Sequence, residues 1–355
     1  MDQLQQKRLN VSRGLTYTYY TRQARPSHQT LLLVHGFPDS PDEFSDVVRD
    51  YLLPNGYGVI AIDCLGYGGT SKPLDHEAYS FQLMAQDIKE ILDEEGVDQV
   101  VSTGHDWVCL LLTSLQWNCR RGCVLIAAMQ GSPVAQRFYN FHPDRVCGLV
   151  LLSVAYTAPS PRPFDLDTVL KYSIKRFGYG MLWYWKLFIA PDAVEITDSH
   201  LESMWTSVHG EPETWLDTLA AEDGIRRYLV ADKRQPVMSY ATEERRQRWL
   251  RHMSSGGFAG PLNYYRAAAF GTQDKAHAMV PRENHVVKVP HLFFGGSRDV
   301  VCRPELCDDS IKAGLLPDCT KVAVDSGHWA HLDKSKEFGE TLLGWLRGNF
   351  PRSRL

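Results

Sequence analysis

Asp106, Asp299 and His328 are the residues of this 355-residue chain whose types and settings suggest chemistry. Asp106 stands in Val101-Ser102-Thr103-Gly104-His105-Asp106-Trp107. There a β-branched run enters a glycine-containing turn and a long hydrophobic segment follows. That pattern predicts a buried strand, a sharp turn and a helix, with a carboxylate displayed at the turn. Asp299 lies in Gly295-Gly296-Ser297-Arg298-Asp299, directly after an apolar run at 286–294. His328 lies in Asp325-Ser326-Gly327-His328-Trp329, directly after the run at 321–324. A fourth segment, His35-Gly36-Phe37-Pro38, follows the run at 31–34 and offers a backbone N–H.

Each member alone has an ordinary structural explanation, such as a helix cap for Asp106. All four at strand ends point to a nucleophile, an acid, a base and an oxyanion hole. A carboxylate that attacks an electrophilic sp³ carbon forms an alkyl ester, which water cleaves at the carboxyl carbon. A serine would form a dead-end ether. In this scheme His328 is the general base on the water, and Asp299 orients the imidazole and stabilises its charged form. The backbone N–H groups of Phe37 and Trp107 form the oxyanion hole for the tetrahedral intermediate on Asp106.

The elements that hold these residues alternate. Residues 9–20 read as an edge strand pair with Gly14 at the turn. Strands at 31–34, 59–63 and 98–103 alternate with helices at 39–53 and 79–95, and a further strand spans 146–154. Alternation of this kind predicts a mostly parallel sheet flanked by helices, with ligands at the carboxyl ends of strands. The glycine-rich loop Gly66-Tyr67-Gly68-Gly69-Thr70 reads as a tight loop near the site; no Lys-Ser/Thr follows, so it is not a P-loop. Beyond Ala158 come three prolines and then a helical, aromatic-rich stretch. Residues 158–270 are therefore expected to form an inserted helical cap, and 1–157 with 271–355 the core. A helix at 338–350 closes the chain.

The stretches LLLVHGFPDS, VIAIDCLGYGGTSKP, TGHDW, GGSRDVVCRPE and DSGHWAHLDK resemble the epoxide hydrolases of the α/β-hydrolase superfamily, fungal members most of all. The order Asp106, Asp299, His328 is the nucleophile–acid–base order of that fold. The resemblance implies an α/β-hydrolase fold, hydrolysis of an epoxide to a vicinal diol, and no cofactor or metal. It also implies two cap tyrosines that donate to the epoxide oxygen, here Tyr184 and Tyr265. A small hydrophobic epoxide is the expected substrate, in detoxification or secondary metabolism. Haloalkane dehalogenases are the rival with the same nucleophile. They carry Asn where this chain has Phe37, and fluoroacetate dehalogenases prefer Arg where it has Trp107; both departures favour epoxide.

Charged residues make up 23% of the chain and the net charge is −4, which points to neither nucleic acid nor a membrane surface. The eight cysteines fall at no zinc spacing and suit a reducing compartment. No secretory signal and no membrane span is expected. The terminal Ser353-Arg354-Leu355 is a conservative variant of a peroxisomal address. A peroxisomal import receptor is thus the expected partner, with the cytoplasm as the alternative location.

One stretch breaks the pattern. The residue after Trp107 should be small, and it is Val108. Removing Val108 through Gln130 restores Gly-His-Asp-Trp followed by Gly131-Ser132-Pro133, an ordinary continuation. Valine codons begin GT, a glutamine codon ends AG, and the stretch is in frame. A retained intron is the expected origin. A genuine insertion is the alternative, and it would leave the protein catalytically impaired.

Overall fold

The computed structural model describes residues 1–106 and 131–351. Trp107, the anomalous stretch 108–130 and Ser353-Arg354-Leu355 lie outside the described residues.

Eight strands form one sheet: β1 Gln5–Asn10, β2 Thr16–Arg22, β3 Thr30–Val34, β4 Gly58–Ile62, β5 Val100–His105, β6 Val146–Leu152, β7 His291–Gly296 and β8 Cys319–Val324. Their order is β1-β2-β4-β3-β5-β6-β7-β8. The first three pair antiparallel and the rest parallel. The central strands β3, β4, β5 and β7 are buried at every residue and mostly apolar because both faces are covered. On β3, Leu31 and Leu33 join one core while Leu32 and Val34 join the other. Helices Phe81–Glu94 and Gly131–Phe141 cover one face, and Ser335–Asn349 covers the opposite one.

Three expectations shift. The helix read over 39–53 is a 3-10 turn at Pro41–Phe44, a short α segment at Ser45–Val47 and a π turn at Val48–Leu52. Spacing of three and four finds the buried face, including Phe44, Val47, Val48 and Leu52, but not which hydrogen-bond ladder closes it. The strand expected from 286 starts at His291. Pro290 has no N–H to give a ladder, and the approach to it is spoken for: Val287 N–H donates to Leu315 O and Lys288 N–H to Tyr139 Oη. Helices between β6 and β7 continue past residue 270, through Thr272–Ala278.

That helical stretch docks on the core by close backbone approach. A Cβ on Gly260 would stand 2.7 Å from the Gly66 Cα, so the glycine-rich loop and the turn before Asn263–Ala269 need glycines to touch. The Asn263 amide donates to Pro73 O and Leu74 O at 3.1 and 3.0 Å. These contacts fix the helix that carries Tyr265.

At the carboxyl end of β5, Asp106 N–H donates to Leu152 O at 3.2 Å. Ser132 Oγ donates to the same carbonyl at 3.2 Å and to Gly104 O at 2.7 Å. Asp106 and Ser132 are thus within two hydrogen-bond lengths of each other despite their sequence separation. A chain joining Trp107 directly to Gly131 would place Ser132 three residues after Asp106, a spacing one helical turn spans. The variant lacking residues 108–130 is therefore expected to fold with an unchanged sheet, and to melt no lower than the full chain. A collapsed circular-dichroism signal for the deletion, with a cooperative melt for the full chain, would refute this.

Candidate active site

Asp106 has φ +77, the left-handed region that a non-glycine residue occupies only when its surroundings impose it. The turn lifts its carboxylate off the end of β5. Phe37 N–H donates to Asp106 Oδ2 at 2.6 Å. This approach requires Gly36: a Cβ there would lie 2.2 Å from the Asp106 Cβ. Asp106 Oδ1 faces His328 Nε2 in a short contact. His328 Nδ1 meets Asp299 Oδ2 at 2.6 Å. Asp299 is held in turn by Val301 N–H and Cys302 N–H, both on Oδ1, at 3.0 and 2.8 Å. All three members are nearly inaccessible to solvent.

The electrostatics follow from this burial. Desolvation works against the charged imidazole, but Asp299, Cys302 and Asp106 outweigh it and hold His328 well above its usual range. The resting site is therefore an imidazolium between two carboxylates.

Tyr184 and Tyr265 both come from the helical stretch, Tyr184 into the cavity and Tyr265 against its aromatic wall. Tyr184 lines the cavity over Asp106 and His328 with Phe37, Phe188, Trp215 and Leu219. The Tyr265 ring stands edge-on to Phe37 at 5.3 Å and perpendicular to Tyr184 at 6.3 Å. Its neighbour Tyr264 turns away and packs on Tyr79 at 4.9 Å. Burial pushes both Tyr184 and Tyr265 well up, and the charge of Asp106 adds to it, so both are neutral phenols with a proton to share. Trp107, expected as the second oxyanion donor, lies outside the described residues.

Several residues at the site escape a reading by motif. Glu43 and His105 are fully buried and joined at 2.9 Å. Ser153 Oγ donates to His328 O at 2.6 Å. Trp215 packs its ring 5.4 Å from that of His328. Glu43 sits in an amphipathic stretch that gives no sign its charge is turned inward. Among the described residues two sets of side chains come close enough to share a metal ion: Asp299 with Cys302 and His328, and Glu43 with His105 and His331. In the first, Asp299 and His328 are already bonded to each other.

The α/β-hydrolase fold family matches residues 29–115. The chain is 26% identical over 328 residues to bifunctional epoxide hydrolase 2 of Rattus norvegicus, covering 90% of this chain and 52% of that protein. It is 25% identical over 357 residues to epoxide hydrolase B of Mycobacterium tuberculosis, covering 90% of this chain and 92% of that protein. The chain thus spans about half the length of the mammalian relatives and nearly all of the bacterial one. Among solved structures, an epoxide hydrolase from Vigna radiata superposes with a TM-score of 0.73 at 21% identity, covering 98% of this chain and 99% of that one. Epoxide hydrolase A from Mycobacterium thermoresistibile gives 0.72 at 22% identity, covering 97% and 98%. These superpositions establish the α/β-hydrolase fold.

The raised imidazole has a sign that can be measured. Its folded value stands above the ordinary value of about 6.5. Its contribution to stability is whole below that ordinary value and is lost as pH rises through the folded one. Melting of the wild type and His328→Gln between about pH 5 and pH 10 should differ most on the acid side, the gap narrowing with rising pH. A gap that widens toward alkaline pH would contradict the charge assignment.

Proposed function

We propose that this chain, a member of the α/β-hydrolase superfamily, hydrolyses a small hydrophobic epoxide to a vicinal diol through an ester on Asp106. The observation that carries the reading is the division of the Asp106 carboxylate. Oδ2 is held by the Phe37 N–H, while Oδ1 faces His328 beneath an apolar cavity.

Oδ1 attacks an epoxide carbon and the ring C–O bond breaks. The developing alkoxide meets the phenols of Tyr184 and Tyr265, and one phenol proton passes to it. Esterification removes the charge of Asp106, so His328 loses one of the two carboxylates that favoured its proton. The imidazole then passes that proton to the phenolate left by ring opening, which restores the phenol, and becomes a base. It takes a proton from water, whose oxygen attacks the carboxyl carbon. Negative charge gathers on Oδ2, where the Phe37 N–H already points. Collapse expels the diol oxygen, which takes the proton back from His328. Asp106 keeps one oxygen from water and gives its remaining proton to His328, which restores the resting imidazolium. Asp299 holds the imidazole in place throughout.

The lining favours an apolar substrate: Phe37, Phe188, Trp215 and Leu219 present little that would solvate a charged one. Delivery to peroxisomes belongs to the same proposal and rests on Ser353, Arg354 and Leu355 alone.

Turnover of an epoxide panel in ¹⁸O-water should place label in Asp106 during a single turnover, and Asp106→Ala should abolish diol formation. His328→Gln should still form the ester but not release it, giving a stable mass adduct. Tyr265→Phe and Tyr184→Phe should each slow ester formation by about 2–4 kcal/mol, the cost of a lost oxyanion donor. Full turnover by Asp106→Ala would sink the reading.

A further inference from the structure

Glu43 is a buried carboxylate that the reaction above does not use. Buried acids are rare unless something holds them. Its Oε1 accepts from Gly36 N–H at 3.2 Å. Its Oε2 meets His105 Nδ1 at 2.9 Å. On the far side of that ring, His105 Nε2 lies 3.4 Å from His328 O. The ring is wedged by His331, whose centroid is 4.2 Å away. Gly36 precedes the residue whose N–H holds Asp106 Oδ2. His105 precedes Asp106 itself, and the carbonyl belongs to the base. One side chain and one imidazole therefore tie together the backbones of the three loops that carry oxyanion donor, nucleophile and base.

We propose that Glu43 acts as a neutral carboxylic acid and is a positioning residue for hydrolysis of the Asp106 ester. This rests on the reading of the site given above. The hydrogen-bond inventory selects the neutral form. A protonated Oε2 donates to His105 Nδ1, which leaves the ring proton on Nε2 to donate to His328 O. The carbonyl-like Oε1 accepts from Gly36. Every polar atom then has a complementary partner. An ionised Glu43 would take the ring proton on Nδ1 and set a bare Nε2 lone pair against the His328 carbonyl, and the doubly protonated ring that would cure this is opposed by burial, which pushes His105 down to about 4. Asp39, Asp106, His328 and Arg245 face the group; its burial and the negative charge of Asp106 push its proton affinity up and prevail over the Gly36 N–H, His328 and Arg245, which lower it. A neutral clamp also adds no second negative charge beside the oxyanion that forms on Asp106. Glutamine has the same shape and the same donor and acceptor as protonated glutamate.

The test follows ester formation and decay by rapid-quench intact mass, in single turnovers with an epoxide. Glu43→Gln should keep both rates within about 3-fold of wild type. Glu43→Ala should slow ester decay by at least about 10-fold while formation changes much less, so the ester accumulates and kcat falls more than KM changes. If the alanine variant does not fold, Glu43→Asp serves instead: it keeps the acid but cannot reach both Gly36 and His105, and should show the same accumulation. Glu43→Gln decaying as slowly as these variants would overturn the neutral assignment. Unchanged decay in Glu43→Ala or Glu43→Asp, with only a lower melting temperature, would overturn the positioning role. A wild type that forms no ester would overturn the epoxide reading, and this inference with it.

Discussion

His328 is bonded to two carboxylates at once in a deeply buried site, and the rest of the molecule makes that arrangement tolerable. An isolated buried charge costs several kcal/mol, and even a buried pair repays this only when its remaining lone pairs are satisfied. Asp299 meets that condition with two backbone N–H donors on the oxygen His328 does not use. Asp106 meets it with the Phe37 N–H. Each donor comes from a loop at the carboxyl end of a parallel strand, and the parallel register brings those ends to one edge. The sheet is a device for delivering backbone dipoles and side chains to one small volume.

Legibility in the sequence follows from the range of the interactions. The strands were readable because a strand covered on both faces is a largely apolar, β-branched run, a local property. The convergence of Asp106, Asp299 and His328 was readable because each sits just after such a run. The choice of Tyr265 over Tyr264 came from a family resemblance, and its physical basis is tertiary. Tyr264 fills the aromatic pocket of Tyr79 and Tyr67, which turns its neighbour toward Phe37. Glu43 was illegible for the same reason. Its partners come from residues 36 and 105, and a lone glutamate between amphipathic residues reads as solvated. The start of β7 was misplaced although its cause, Pro290, is visible: the valines before it looked like strand, and only the hydrogen bonds of Val287 and Lys288 show otherwise.

Core and helical stretch divide the work by charge. The charged machinery, Asp106, Asp299 and His328, belongs to strand ends, where backbone donors are available. The neutral phenols and most of the apolar lining belong to the helices between β6 and β7. The joint between them is a contact of two glycine backbones, Gly66 and Gly260, reinforced by Asn263. Contacts this close leave little freedom to slide, because packed interiors respond to displacement with overlap. A phenol that must meet an oxygen as it becomes an alkoxide benefits from such a joint, since a donor misplaced by an ångström loses much of its effect.

For the proposed reaction, the resting charges also account for how one imidazole would serve two unlike steps. Between two carboxylates His328 is protonated, so it does not compete for an electrophile and its charge does not oblige Asp106 to seek another partner. Alkylation leaves a phenolate in the cavity and removes the charge on Asp106. Removing that charge withdraws part of what held the proton, at the moment a base is first required. The trigger for the second step is thus the product of the first, read through a hydrogen bond already in place. Such coupling needs Asp106 Oδ1 to stay within reach of His328 while Oδ2 remains on the Phe37 N–H. That requirement makes the placement of the loop backbones, rather than any further charged group, the limiting feature of the site.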